Sequence, residues 1–123
     1  MAPTRSAQLD QEKEEYRASI AEAIQEDEDP LAAYDDFVKW TVQQYSPSDI
    51  SSGLLELLEE CTRRFKDDLR YKGDLRYLKL WSAYAKRVEK PTVVYSYLVK
   101  HEIGCVYALL YEEFAGALEK EAR

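Results

Sequence analysis

Apolar residues recur every three or four positions along almost the whole chain, and no stretch shows the sustained alternation of a half-buried strand. This spacing predicts an all-α protein. The first apolar stripe runs through a mostly charged segment at residues 5–28, for which Ser6 is the expected N-cap. A helix of this kind needs a partner to cover its stripe. The members of the stripe are Leu9, Tyr16, Ile20 and Ile24.

The next two predicted helices are separated by a clear break. Asp29 is a suitable N-cap, and Pro30 falls at the first helical position, where its missing N–H costs nothing. The expected inward face of this helix consists of Tyr34, Phe37, Val38, Thr41 and Tyr45. Residues 46–49 (SPSD) then interrupt the pattern. The stripe of the third helix, within residues 51–65, consists of Leu54, Leu55, Leu57, Leu58, Cys61 and Phe65.

The second half of the chain predicts three more helices. Asp74 is the expected cap of the segment 75–88, and Pro91 opens the segment 91–101. We expect Ile103 and Gly104 to end the latter, because glycine tolerates the left-handed conformation that closes a helix. The last helix falls within residues 105–122. The inward residues of these three helices, in order, are Tyr77, Leu78, Trp81, Tyr84, Ala85 and Val88; Val94, Tyr97 and Leu98; and Tyr107, Leu110, Tyr111, Phe114 and Leu118.

Six helices joined by short turns favour consecutive antiparallel hairpins. A motif of two aromatic residues and a small aliphatic residue occurs as YDDFV from Tyr34, WSAYA from Trp81 and YEEFA from Tyr111. Its irregular spacing leaves chance recurrence open, but the pattern is typical of helical repeat arrays. We therefore predict one all-α domain over residues 1–123, with a flexible leader at residues 1–6. Its expected architecture is a tetratricopeptide-like array of about six helices in a right-handed superhelix.

Charge is distributed unevenly along the chain. The net charge of the 123 residues is −7, but residues 1–50 carry −8 and residues 63–100 carry +7. The acidic balance argues against a simple nucleic-acid binder, whereas the basic, tyrosine-rich middle keeps a helical nucleic-acid-binding domain open as the alternative function. The same cations could instead face acidic helices or an acidic partner segment. They are Arg63, Arg64, Lys66, Arg70, Lys72, Arg76, Lys79, Lys86, Arg87 and Lys90.

Residues capable of chemistry are few. His101 and Cys105 lie four residues apart, a spacing that can place two ligands on one helix face. A structural zinc site, however, needs about four ligands, and the chain has one histidine and two cysteines. The acidic pairs at 67–68 and 112–113 have no accompanying base or nucleophile. We therefore expect no metal, no cofactor and no catalytic residue, and we expect Cys61 and Cys105 to be reduced thiols.

The chain shows no signal for a membrane or for secretion. No run of about 18 apolar residues is present, and the first sixteen residues lack the apolar core of a signal peptide. We therefore expect an intracellular protein without a membrane partner.

Several sequence blocks together resemble a known family. In chain order they are DPL at Asp29, KWTVQQY around Trp40, LLELLEECTRRF, RYKGDLRYLKLW and YSYLVKHEIGCVYALLYEEFA. Their order and spacing resemble the N-terminal tetratricopeptide domain of the Bub and Mad spindle-checkpoint proteins, over roughly residues 26–123. The positions that form the structural signature of this resemblance are Asp29, Pro30, Trp40, Asp74, Ile103 and Gly104.

The resemblance implies a protein-interaction module, not an enzyme, that acts in the nucleus and at kinetochores in mitosis. Some members of the family carry a serine/threonine kinase domain elsewhere. The implied partner is the large kinetochore scaffold protein, a short amphipathic helix of which lies in a shallow groove. Val88 and Val93 stand where the human kinase member has amide side chains, so the hydrogen bonds made there cannot form here. Aligned without gaps, the groove positions are Trp81, Ser82, Tyr84, Val88, Val93, Tyr97 and Leu98.

The resemblance also concerns the end of the chain. The domain of the family continues with another helix, so we expect the natural chain to extend beyond Arg123. The apolar stripe of the last helix is then partly uncovered in this chain. This exposure predicts self-association through residues 105–121.

Overall fold

The computed structural model describes residues 4–123, which form six α-helices and one short 3₁₀ helix at Ile50–Ser52. No strand occurs among these residues, so the predicted all-α class is confirmed. None of the helices within residues 4–123 combines the length and the apolar character that crossing a membrane requires. The helices are α1 (Arg5–Glu26), α2 (Pro30–Gln44), α3 (Leu54–Arg64), α4 (Leu75–Ala85), α5 (Pro91–Lys100) and α6 (Ala108–Glu121).

The chain divides into two compact units, Met1–Ser52 and Gly53–Arg123. In the first unit α1 packs on α2. Arg5 at the start of α1 hydrogen-bonds to Gln44 at the end of α2, and Tyr16 stacks on Phe37 with the ring centroids 5.3 Å apart. These pairings show that the two helices run antiparallel, as the sequence predicts.

The N-cap of helix α1 lies two residues before the expected one. The Thr4 hydroxyl accepts a hydrogen bond from the amide of Ala7 at 3.1 Å, so the N-cap is Thr4 and the prediction of Ser6 is wrong. Ser6 already lies within the helix. The predicted leader at residues 1–6 therefore overlaps α1 at Arg5 and Ser6, and residues 1–3 lie outside the described residues.

Helix α2 begins at Pro30 with Asp29 at its N-cap position, as predicted, but Asp29 does not cap the helix through its side chain. Asp29 has a left-handed backbone (φ 46°) and its side chain makes no capping hydrogen bond. Trp40, which the periodicity did not assign to the inward face, is only 8% exposed and packs against Phe37 and Tyr45. Of the expected inward residues, Tyr34, Phe37, Val38 and Thr41 are buried and Tyr45 is half-buried.

The second unit contains the remaining four helices. Helix α3 packs on α4, α5 packs on α6, and α4 contacts both α5 and α6. Its core includes a cluster of aromatic rings, with the centroids of Phe65 and Tyr71 5.1 Å apart. Asp74 caps α4 as predicted, accepting a hydrogen bond from the amide of Arg76 at 2.9 Å. Leu55 is exposed, but Leu57, Leu58, Cys61 and Phe65 of the predicted α3 stripe are buried.

Two left-handed residues, not one, connect α5 to α6. Helix α5 ends at its C-cap His101, and Glu102 takes the left-handed conformation (φ 58°) that we expected of glycine. The amide of Ile103 donates to the carbonyl of Leu98 at 2.9 Å, which completes the hydrogen bonding of the helix end. Gly104 forms the next turn, with φ 73°. The elbow is where the sequence predicts it, but the helix is closed by Glu102.

Helix α6 is shorter than predicted, and its buried residues differ from those of the predicted apolar stripe. It begins at Ala108, with Tyr107 as its N-cap. Leu110 and Ala117 are its buried residues, whereas Tyr111 is 48% exposed and Leu118 is 53% exposed. The face of α6 that carries these two side chains is therefore largely uncovered by the second unit.

Candidate functional site

The second unit carries a groove of about 350 Å³ whose walls come from α3, α4 and α5. We call it the aromatic groove, because three of its lining residues have aromatic rings. The remaining lining residues are aliphatic, hydroxyl-bearing or cationic. The full lining is Thr62, Arg63, Lys66, Trp81, Tyr84, Val93, Val94 and Tyr97.

Helical spacing explains why these rings meet. Trp81 and Tyr84 are three residues apart on α4, which places them side by side on one face. Tyr97 on α5 stacks on Trp81 with the centroids 5.3 Å apart and the ring planes 29° apart. Tyr84 meets Trp81 edge-on, with the centroids 6.1 Å apart. The stack continues to His101, whose ring centroid lies 4.0 Å from that of Tyr97.

The groove has a rigid floor and an exposed rim. Trp81 is only 6% exposed and Val94 is buried, whereas Val93 is 63% exposed. Tyr84 and Tyr97 are half-buried, so part of each ring is available to a ligand. Since stacking already fixes these rings, a ligand that binds here loses little side-chain entropy in the groove.

A buried hydrogen bond supports the floor from below. The Tyr77 hydroxyl donates to the backbone carbonyl of Thr62 and so links α4 to α3. Burial raises the pKa of Tyr77 well above its ordinary value, so the hydroxyl stays neutral and remains a donor. The Thr62 hydroxyl is in turn bonded to the carbonyl of Leu58 at 2.7 Å. These contacts hold the α3 wall in a fixed position relative to Trp81.

The structure brings together four of the seven predicted groove residues, namely Trp81, Tyr84, Val93 and Tyr97. The other three do not line the groove. Ser82 is 4% exposed and donates a hydrogen bond to the carboxylate of Glu113 on α6. Leu98 is fully buried, and Val88 is half-buried beyond the end of α4.

The α3 side of the groove and Val94 line it in the structure but were not predicted from the sequence. Arg63 at the end of α3 and Lys66 just beyond it belong to the basic segment, which runs from Arg63 to Lys90. The positive charge of this segment was the feature of the sequence that could have pointed to the α3 side of the groove. It could not be linked to the groove because periodicity within one helix does not show which helix lies opposite.

Ser82 lies away from the groove because it belongs to a polar cluster around Glu113 of α6. The carboxylate of Glu113 accepts hydrogen bonds from Ser82 and from the Tyr95 hydroxyl, the latter at 3.0 Å, and lies 3.6 Å from the ammonium of Lys86. Burial, together with the bond to Glu113, raises the pKa of Tyr95 to about 12. The cluster ties α6 to α4 and α5.

The sequence candidates for chemistry, His101 and Cys105, lie at the end of α5 and in the turn after it. No group of three or more potential metal ligands occurs among residues 4–123. The ring of His101 packs on Tyr97, and the thiol of Cys105 lies 3.9 Å from the carbonyl of Leu98. Both therefore belong to the α5 helix end and the turn that follows it.

Comparison with known proteins identifies the region. A family model described as Mad3/BUB1 homology region 1 matches residues 11–123. The mitotic spindle checkpoint component mad3 of Schizosaccharomyces pombe is 39% identical over 93 residues, which are 75% of this chain and 30% of mad3.

Two solved structures share the fold. A chain in the crystal structure of the mitotic checkpoint complex superposes with a TM-score of 0.89 at 33% identity, covering 99% of this chain and 58% of that one. The crystal structure of the conserved N-terminal domain of the mitotic checkpoint component BUB1 superposes with a TM-score of 0.85 at 28% identity, covering 97% and 65% respectively. The present chain thus spans less than a third of mad3 and less than two thirds of either solved chain.

Proposed function

The chain belongs to the Mad3/BUB1 homology region 1 family, and we propose that it recruits a spindle checkpoint protein to kinetochores by binding a short amphipathic helix of the kinetochore scaffold. The region is a non-catalytic helical domain. In the longer proteins that contain this domain, kinase activity belongs to other parts of the chain. Its proposed mechanism is therefore docking, in the nucleus and at the kinetochore during mitosis.

The observation that carries this proposal is the fixed set of rings in the aromatic groove. Trp81 contacts both Tyr84 and Tyr97, and these two tyrosines keep part of their rings exposed. Aromatic side chains fixed in this way are the usual energetic centre of a protein interface. A helix presents apolar anchors at every third or fourth residue, which suits a groove bounded by helices.

Titration of a fluorescent helical peptide from the kinetochore scaffold tests the proposal. Tyr84→Ala removes an anchor together with its edge-on contact to Trp81, and we expect it to weaken binding about tenfold or more. Tyr111→Ala is the matched control, since Tyr111 is a partly exposed tyrosine of α6 that does not line the groove. Unchanged affinity in Tyr84→Ala would place the binding site elsewhere.

The charges of the basic segment support a protein ligand over nucleic acid. Several of its cations are already engaged within the second unit. Arg70 pairs with Asp68 at 2.8 Å, and Arg76 pairs with Asp74 at 2.7 Å. Lys72 donates to a backbone carbonyl at 3.0 Å. Because these cations already have partners, they gain less from phosphate contacts than free ones would.

We also propose that copies of this chain associate through α6, within residues 105–121. The support is the exposure of Tyr111 and Leu118, which lie on one face of that helix.

A further inference from the structure

The aromatic groove is chemically asymmetric. Its α5 wall consists of Val93, Val94 and Tyr97, which are apolar or aromatic. The opposite, α3 side contributes Arg63 and Lys66, and both are exposed. No acidic residue is among the lining residues. A ligand in this groove therefore meets apolar surface along one side and positive charge along the other.

The two cations of the groove are not neutralised by the second unit. Among residues 4–123 neither the Arg63 nor the Lys66 side chain forms a hydrogen bond or an ion pair, although Glu59 and Asp67 are close to them in sequence. In the neighbouring cavity of about 400 Å³, by contrast, Lys86 lies 3.6 Å from Glu113. The charges in the aromatic groove thus remain available to a ligand.

A structural role explains in part why these cations occur at the end of α3. Arg63 and Arg64 lie in the last turn of α3 and Lys66 follows its C-cap Phe65, positions near the helix end where positive charge stabilises the helix dipole. That role applies to all three side chains. Only two of them line the groove, however, and Arg64 does not. Position in the groove is therefore a property of Arg63 and Lys66 that the dipole does not explain.

On the basis of the proposed function, we propose that the groove selects a helix that has an acidic flank beside its apolar stripe, with Arg63 and Lys66 contacting its carboxylates. Arg63 at the end of α3 and Lys66 just beyond it both line the groove, so both can pair with aspartates or glutamates on one flank of the ligand. Partly exposed pairs of this kind add modest affinity, but they fix the side of the ligand helix that faces α3.

Two synthetic helical peptides with the same leucine and phenylalanine stripe test this proposal. One peptide carries glutamate at the positions flanking the stripe, and the other carries glutamine, which has a similar helix propensity. Fluorescence anisotropy with the full chain measures both affinities. We expect the glutamate peptide to bind about five- to tenfold more tightly at low salt, with the difference shrinking at high salt.

Charge reversal identifies the side chains responsible. The double variant Arg63→Glu, Lys66→Glu is expected to abolish the preference for the glutamate peptide, with the glutamine peptide little affected. Arg64→Glu is the matched control, because it reverses a charge in the same helical turn outside the groove. It is expected to keep the preference. Circular dichroism of each variant confirms that α3 is still folded.

The possible outcomes separate this proposal from the proposed function. Equal affinity of the two peptides, together with Tyr84-dependent binding of the kinetochore scaffold peptide, would overturn only the acidic-flank proposal. Failure of the scaffold peptide to bind would overturn the proposed function. Tighter binding of a 20-residue polyuridine than of the glutamate peptide, lost in the double variant, would overturn the present proposal in favour of nucleic acid. An equal effect of Arg64→Glu would show that the preference does not depend on the groove.

Discussion

At the scale of single residues, Gly104 meets two structural demands at once. Its backbone is left-handed (φ 73°), and an added Cβ would lie 2.8 Å from a methyl carbon of Leu78, which is 1% exposed. The Gly104 amide also donates to the carbonyl of Lys72 at 2.8 Å, so the turn cannot easily move away. We expect Gly104→Ala to lower the free energy of unfolding by about 2–4 kcal/mol, measured by urea denaturation.

Gly116 provides the control for this substitution. It lies within α6, and a Cβ there would meet no atom within 4 Å. Gly116→Ala is therefore expected to stabilise the protein by about 0.5–1 kcal/mol, because alanine is the better helix former. Similar losses in both variants would show that the elbow imposes no special constraint.

The Tyr95 hydroxyl leads to a prediction about alkaline pH. Burial and the bond to Glu113 raise its pKa from 10.0 to about 12 in the folded state. The neutral hydroxyl is thus favoured by folding, and its contribution to stability is complete below the unfolded pKa of 10.0 and is lost as the pH rises through about 12. We expect Tyr95→Phe to show a smaller loss of stability across this range than the wild type does. Urea denaturation at a series of alkaline pH values measures this difference, and parallel curves for the two proteins would contradict it.

At the same scale, the sequence predicted the elbow but not its details. A glycine after an apolar helical pattern indicates a left-handed turn, and Gly104 has one. Nothing in the sequence indicates that Glu102 would adopt the same conformation, because glutamate ordinarily avoids it. Its conformation is fixed by the hydrogen bonds that close α5, which depend on the path of the chain towards α6.

At the scale of elements, α6 supplies the cap that α5 lacks. Lys90, the N-cap of α5, makes no side-chain capping bond. The carboxylate of Glu121 instead accepts hydrogen bonds from the Thr92 amide at 3.1 Å and from the Thr92 hydroxyl at 2.9 Å. We expect Glu121→Gln to lower stability by about 0.5–1 kcal/mol, because a negative charge at a helix N-terminus is lost.

Hydrogen exchange distinguishes this capping role from a general effect of charge. In Glu121→Gln the amides of the first turn of α5 should exchange faster, with α3 unaffected. Glu119→Gln is the control, since Glu119 lies on the same helix, pairs with Arg123 at 3.6 Å and has a side chain that is 73% exposed. Faster exchange in both variants would mean that Glu121 does not cap α5.

The helices themselves were largely predictable, whereas their partners were not. The periodicity of three and four is local, and it placed Leu57, Leu58 and Cys61 correctly on the buried face of α3. The same rule put Tyr111 and Leu118 on the inward face of α6, yet both are exposed. A periodic pattern shows that a helix has an apolar face, but only the packing of neighbouring helices decides how much of that face is covered.

The aromatic groove shows the same limit. Trp81, Tyr84, Val93 and Tyr97 were placed by resemblance to the family, which carries spatial information that one sequence lacks. Ser82 was placed in the groove by the same resemblance, next to Trp81 in sequence. Neighbouring residues on a helix point in directions about 100° apart, however, and Ser82 is bonded to Glu113. The α3 wall was missed because it is distant in sequence from the other two.

At the scale of the whole molecule, the uncovered face of α6 makes an oligomer the expected state at high concentration. Tyr111 and Leu118 are seven residues apart, two helical turns, and about half of each side chain is exposed. One face of a 14-residue helix is small compared with a stable interface. The association should therefore be weak, with a dissociation constant on the order of hundreds of micromolar.

Light scattering over a range of concentrations measures this association. We expect Leu118→Glu to shift the protein towards the monomer, because a carboxylate cannot be desolvated cheaply at an apolar contact. Val42→Glu is the matched control, since Val42 is a 55% exposed aliphatic residue of α2. Because the chain has a net charge of −7, each added glutamate also increases repulsion between copies. Only a larger effect at Leu118 than at Val42 assigns the contact to α6, and a wild-type protein that remains monomeric at millimolar concentration excludes it.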